Sequence, residues 1–278
     1  MPKAIVIRTA GTNCDAELLR AFRMAGAEAE LLHLDALIRD PARLGAFDLI
    51  GFPGGFSYGD DIASGRIFAM RVRERLYPAL RASIQRGCPV IGVCNGFQVL
   101  VQVGLLPGPG AGEAWPEEQP PEQTVSLAEN AEARFVDRWV PVEFDGSSRC
   151  VWTKGLAEER HQGIEASRHR VRSGDVMQLP VAHGEGRFVG GPGVLEQLER
   201  GGQVALRYLD NYNGSQGAVA GICDASGLVF GLMPHPERYL DWDRHPYFTR
   251  LSADDRQGDT PGLRIFRNAV EAAARVPA

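Results

Sequence analysis

The stretch GVCNGFQ, residues 92–98, decides how this chain is read. Pro89-Val90-Ile91 precedes it and Val99-Leu100-Val101 follows it. The first run has the composition of a short buried strand, and a helix is predicted from Gly96 to Val103. Cys94 therefore stands on a strand-to-helix turn, with a glycine two residues to either side. This is the G-x-C-x-G form of a nucleophile elbow, with cysteine in place of serine. The sharp turn lifts the side chain above the sheet, and the small flanking residues let neighbouring backbone come close. The positive end of the following helix favours the thiolate, which is the reactive form. The Asn95 amide, in the first helical turn, has no partner inside the helix and can point at a developing oxyanion. A buried thiol in a close-packed turn is the other reading, and doubly wound folds use such turns too. The seven residues alone fit both.

Outward from this point, strands and helices alternate. KAIVIR (residues 3–8) and residues 29–34, 47–52 and 89–93 read as strands. Residues 17–26 and 67–86 read as helices, the second with a break near Pro78. This alternation predicts an α/β fold, a doubly wound and mostly parallel sheet with helices on both faces, flavodoxin-like. Residues 106–121, LPGPGAGEAWPEEQPP, are too rich in proline and glycine for a helix or an inner strand and read as a surface excursion. Further strands are expected at residues 135–144, 204–209, 218–223 and 227–233, with weak helical patterning at 155–172 and an amphipathic last helix at 261–275. One domain spanning residues 1–278 is expected, with an extended tail from residue 239.

Composition excludes several classes of function. The chain has 278 residues and a net charge of −5, so it offers no basic face for nucleic acid. Its N-terminal apolar run is too short for a signal peptide, and no run is long enough for a membrane span. A cytoplasmic location is expected. The five cysteines, Cys14, Cys88, Cys94, Cys150 and Cys223, form no CxxC pair. That disfavours a disulfide framework or a zinc ribbon. All but Cys94 are assigned to packing.

Three more stretches carry chemistry. FPGGFSYGDD (residues 52–61) has two adjacent glycines after a strand, Gly54 and Gly55, whose backbone can approach a ligand. MPHPER (residues 233–238) locks His235 between prolines. In extended chain, residues two apart face the same side, so Glu237 can orient His235 as in a catalytic triad. VAHGEGRF (residues 181–188) offers a second pair, His183 and Glu185, flanking Gly184. His183 competes with His235 as a candidate base. No ligand set has metal spacing, and no metal is expected. Cysteine, histidine and glutamate at strand ends would perform acyl transfer through a thioester, on a small amide with ammonia as leaving group.

GVCNGFQ, FPGGFSYGDD and MPHPER together resemble the class I glutamine amidotransferases, and more narrowly the glutaminase subunits of phosphoribosylformylglycinamidine synthase. AGTNCDAE, ENAEARFVDRWV, VAHGEGRF and NGSQGAVAGI strengthen the resemblance, which runs from the first strand to the last helix. It implies Cys94 as nucleophile, His235 as proton shuttle and Glu237 as orienter. It also implies substrate contacts from Gly54, Gly55, Asn95, Gln98, His183, Gly184 and Glu185. The implied substrate is glutamine. The implied partner is a synthetase subunit that uses ATP and Mg to convert formylglycinamide ribonucleotide to the amidine, alongside a small accessory subunit. No cofactor is implied in this chain. The regions 106–121 and 155–172 are enlarged relative to the family, 208–215 is shortened, and 239–260 adds polar residues. These departures lie away from the triad. Competing readings are a cysteine hydrolase or chaperone-like protein of the same fold, which typically lacks the HPE segment, and an amidotransferase serving another acceptor.

Overall fold

The computed structural model describes residues 1–157 and 177–275. The expected helical patterning at 155–172 lies almost wholly outside the described residues. Eleven described strands are β1 (Lys3–Arg8), β2 (Glu28–His33), β3 (Leu49–Phe52), β4 (Val90–Val93), β5 (Val125–Glu129), β6 (Val136–Phe144), β7 (Gln178–His183), β8 (Glu185–Gly190), β9 (Val204–Tyr208), β10 (Val219–Cys223) and β11 (Val229–Leu232). The helices are α1 (Asp15–Met24), α2 (Leu34–Arg39), α3 (Arg66–Arg75), α4 (Tyr77–Gln85), α5 (Asn95–Val103), α6 (Val194–Arg200) and α7 (Pro261–Ala273).

Nine strands form one sheet in the order β2-β1-β3-β4-β11-β10-β9-β6-β7. Pairing is parallel from β2 to β11 and antiparallel from β11 to β7. The parallel half is what the alternation of strands and helices predicted. β3, β4 and β11 are buried at every residue. Burial on both faces explains why they are continuous apolar runs without alternation. β5 and β8 pair with each other as a separate two-stranded ribbon.

The long helix expected at 67–86 is two helices, divided at Leu76. Pro78 sits in the first turn of α4, where its missing N–H costs nothing. The excursion at 106–121 has no regular structure but is tied down. Tyr77 Oη donates to the Pro116 carbonyl at 2.7 Å, and Trp115 packs on the core. Phe22, Trp152, Phe230 and Phe266 form an edge-packed cluster between the sheet, α1 and α7. α7 is capped by Thr260, whose hydroxyl accepts from the Leu263 amide at 3.2 Å. Among the described residues, no helix is long and apolar enough to cross a membrane.

The order β1-β3-β4-β11 places four strand ends side by side. The loops leaving them carry Cys14, Gly54-Gly55, Cys94 and His235, in that order across the sheet.

Candidate active site

The turn at Cys94 is strained as an elbow requires. Its φ is 52° and ψ −107°, outside the regions a non-glycine residue favours. Neighbouring contacts hold it there. The Cys94 amide donates to the Leu232 carbonyl at 2.8 Å, and the Gln98 amide donates to the Cys94 carbonyl at 3.1 Å. A Cβ on Gly92 would lie 2.5 Å from the Gly96 carbonyl oxygen, and one on Gly96 would overlap the Phe52 carbonyl. Both glycines are therefore required by close approach of β3, β4 and α5. The Cys94 thiol reaches towards the Ala182 carbonyl at 3.7 Å.

His235 follows β11, and its amide donates to the Pro180 carbonyl at 2.8 Å. The extended geometry expected from the flanking prolines stops at His235, because Pro236–Arg238 forms one 3-10 turn. The turn still brings the side chains together: His235 Nδ1 lies 2.6 Å from Glu237 Oε1, and both residues are buried. Burial alone would push the imidazole towards its neutral form. The Glu237 charge, followed by Cys94 and Cys14, outweighs burial and holds its pKa well above the ordinary value. Gly54 packs at the meeting point. A Cβ there would lie 2.8 Å from His235 Cε1 and 3.4 Å from Cys94 Cβ. Gly55 pairs with Thr12, which joins this loop to the one after β1.

The other histidine is differently placed. His183 is buried, and its Nε2 lies 2.7 Å from Tyr212 Oη. Burial, then the nearby His235 charge, lowers its pKa to about 4, so it is neutral at physiological pH. Among the described residues, its hydrogen-bond partner is the Tyr212 hydroxyl and not a carboxylate such as Glu237 gives His235. Gly184 turns the chain between β7 and β8, and its carbonyl accepts from the Asn130 amide at 2.8 Å.

Asn95, Gln98 and Glu185 are joined by side-chain bonds. Asn95 Nδ2 donates to Asp60 Oδ1 and to Gln98 Oε1, each at 3.1 Å. Gln98 Nε2 donates to the Glu185 carbonyl at 2.6 Å, and Glu185 Oε2 accepts from the Ser64 amide at 3.4 Å. Both ends of the Gln98 amide are thus engaged with protein. The side chains of Asn95 and Gln98 clamp the 57–65 loop and the start of β8 around the elbow.

Sequence reasoning missed three residues here. Cys14, assigned to packing, lies beside the His235–Glu237 pair. Its Sγ accepts from Arg238 Nη2 at 3.1 Å, and its thiol donates to Asn13 Oδ1 at 3.2 Å. Burial raises its pKa, against the lowering influence of His235 and Arg238. Tyr208 and Tyr212 stack edge to face 5.0 Å apart, and burial raises the pKa of both hydroxyls. The one available signal for Cys14 was its position just past β1, at the same edge of the parallel sheet as Cys94.

A strained cysteine at a helix N-terminus, facing a buried imidazole–carboxylate pair, is the arrangement of a cysteine acyl-transfer site. The sequence matches the CobB/CobQ-like glutamine amidotransferase domain over residues 1–271. The chain belongs to this glutamine amidotransferase family. Among curated relatives, the phosphoribosylformylglycinamidine synthase subunit PurQ of Dehalococcoides mccartyi is 38% identical over 281 residues, covering 99% of this chain and 98% of the relative. The protein of the same name from Archaeoglobus fulgidus is 38% identical over 289 residues, covering 97% and 96%. Among solved structures, a chain in the structure of PurLQS from Thermotoga maritima superposes with a TM-score of 0.66 at 29% identity, covering 97% of this chain and 98% of that one. The amidotransferase fold expected from the resemblance is therefore the fold of this family.

Proposed function

We propose that this chain is the glutaminase subunit of a phosphoribosylformylglycinamidine synthase. The observation that carries the chemistry is Cys94 at the elbow facing the buried His235–Glu237 pair. The acceptor rests on the full-length similarity to relatives of that name.

Cys94 attacks the side-chain carboxamide carbon of glutamine as the thiolate, with its proton held on His235. Negative charge develops on the carboxamide oxygen. First-turn amides of α5, Asn95 foremost, have no partners within the helix and stabilise that charge. Backbone at Gly54 and Gly55 borders the same space. The imidazolium then gives its proton to the departing nitrogen, and ammonia leaves. Glu237 stabilises the imidazolium throughout and fixes the ring. Water, deprotonated by the neutral imidazole, hydrolyses the glutamyl thioester and restores the thiol. Glutamine is held within the frame formed by Gln98, His183, Gly184 and Glu185.

Ammonia passes to a synthetase subunit, which uses ATP and Mg to make formylglycinamidine ribonucleotide. The enzyme works in the cytoplasm, with a small accessory subunit completing the assembly. The deciding experiment mixes the protein with candidate synthetase subunits and follows glutamine-dependent amidine formation. Product is expected with the wild type and not with Cys94→Ser, while free ammonia supports both. An equal glutamine-dependent rate with Cys94→Ser overturns the assignment.

A further inference from the structure

No step of this reaction uses Cys14, yet its Sγ, a ring nitrogen of His235 and a carboxylate oxygen of Glu237 all lie within 4.8 Å of one another. We propose that Cys14, Cys94 and His235 form an inhibitory site for a thiophilic divalent cation, of which Zn²⁺ is the type, with Glu237 as the outer partner of the imidazole.

Four observations carry this. Glu237 occupies Nδ1 of His235, while Nε2 is buried without a hydrogen-bond partner. A carboxylate on the far nitrogen is how zinc-binding imidazoles are oriented. Cys14 Sγ lies within 4.8 Å of a nitrogen of this ring, and both thiols favour its charged form. Gly54 sits between them: a Cβ there would be 3.3 Å from Cys14 Sγ and 3.4 Å from Cys94 Cβ. With zinc bonds of about 2.3 Å to sulfur and about 2.0 Å to nitrogen, donors in a tetrahedral set stand roughly 3.5 Å apart. Cys14 Sγ and a His235 ring nitrogen already stand within 4.8 Å, and in the proposed site Cys94 turns its thiol inwards to complete the set.

Charge is also offset. Two thiolates and the Glu237 carboxylate carry three negative charges, of which the cation offsets two. Arg238, donating to Cys14 Sγ at 3.1 Å and shared with the part-exposed Glu17, stands against the third. Paired charges avoid the penalty of an isolated buried ion. Binding releases both thiol protons to solvent. Soft sulfur donors select against Mg²⁺, which prefers oxygen. Occupancy ties up the lone pair of Cys94 and the free nitrogen of His235 together. Shutting off thioester formation follows from that, and this clause rests on the proposed glutaminase function.

The test titrates the full-length reduced protein with Co²⁺ and reads thiolate-to-metal charge-transfer absorption. One Co²⁺ per chain is expected, displaced by stoichiometric Zn²⁺ and not by excess Mg²⁺. Cys14→Ala and Cys94→Ala are each expected to weaken binding at least tenfold and to lower the absorption. Cys150→Ala, in the other close thiol pair with Cys223, leaves both unchanged. Cys14→Ser serves if the alanine variant does not fold. Absence of the absorption in the wild type overturns the proposal, as does a Cys14 variant that binds like wild type. The readout does not depend on ammonia release. A missing metal site therefore leaves the glutaminase assignment standing, and an inactive protein that binds metal counts against that assignment alone.

Discussion

His235 Nδ1 and Glu237 Oε1 stand 2.6 Å apart with both side chains removed from solvent. Burial opposes a charged imidazole here, and the carboxylate and the two thiols reverse that. Glu237→Gln keeps the shape and removes the charge. The glutaminase kcat is expected to fall on the order of 10²–10⁴-fold. Without the carboxylate, burial dominates and the pKa of His235 drops. Loss of the imidazolium then sets in at lower pH, so the alkaline limb of kcat/KM moves towards acid. A pH–rate profile of the variant with the limb unmoved would show that Glu237 does not act through His235.

Strain at Cys94 gives a second test. A non-glycine residue at φ 52° and ψ −107° costs about 1–3 kcal/mol. Glycine relieves this, less about 0.5–1 kcal/mol of added unfolded-state freedom. Cys94→Gly is expected to be more stable than Cys94→Ala by about 1 kcal/mol in urea denaturation, with both variants inactive. Equal midpoints would mean that the elbow stores no strain.

Close packing beneath the elbow gives a third. Gly96→Ala drives a methyl group into the Phe52 carbonyl, which is backbone of a fully buried strand and cannot swing aside. We expect a loss of about 3 kcal/mol, at the upper end for overpacking, and loss of glutaminase activity as Cys94 is displaced. Near-native stability in thermal and urea unfolding would show that α5 can slide away from β3.

The parallel half of the sheet was legible because its strands are short apolar runs ending in turn residues, as at Phe52-Pro53-Gly54. The antiparallel half was less so. QLPVAH was not read as a strand, and Pro180 argues against one. It is tolerated because β7 is the edge strand of the nine-stranded order. β5 and β8, VSLAE and EGRFVG, bury only part of their length and lack a clean alternation. The meeting of Cys94, His235 and Glu237 was legible because each residue lay in its own distinctive local sequence. Cys14 was not, since its contact with Arg238 spans 224 residues and depends on β1 lying beside β3. Gln98 shows the converse limit. The resemblance implied a substrate contact for Gln98, and no local signal showed that its amide also donates to the carbonyl of Glu185, from a distant strand.

Asn95 combines two separable parts, a first-turn backbone amide proposed to face the oxyanion and a side chain bonded to Asp60 and Gln98. Asn95→Ala keeps the first and removes the second, leaving buried Gln98 Oε1 without its donor and half-buried Asp60 Oδ1 with the Gly65 amide. A cost of about 1–3 kcal/mol is expected. Because the 57–65 loop loses its clamp, KM for glutamine should rise more than kcat falls. A fall in kcat alone would assign the side chain to the chemical step.

His183 makes part of the protein's stability sensitive to acid. Its folded pKa of about 4 lies below the unfolded value of about 6.5, through burial and then the His235 charge. A histidine with a depressed folded pKa binds fewer protons folded than unfolded. Its contribution is therefore present above about 6.5 and is lost as pH falls from there towards 4. The full difference is on the order of 3 kcal/mol. His183→Gln retains a polar group near Tyr212 Oη and cannot titrate. Its unfolding free energy should fall less steeply than that of the wild type between pH 6.5 and 4. Parallel curves across that window would mean that His183 is not the buried neutral histidine described above.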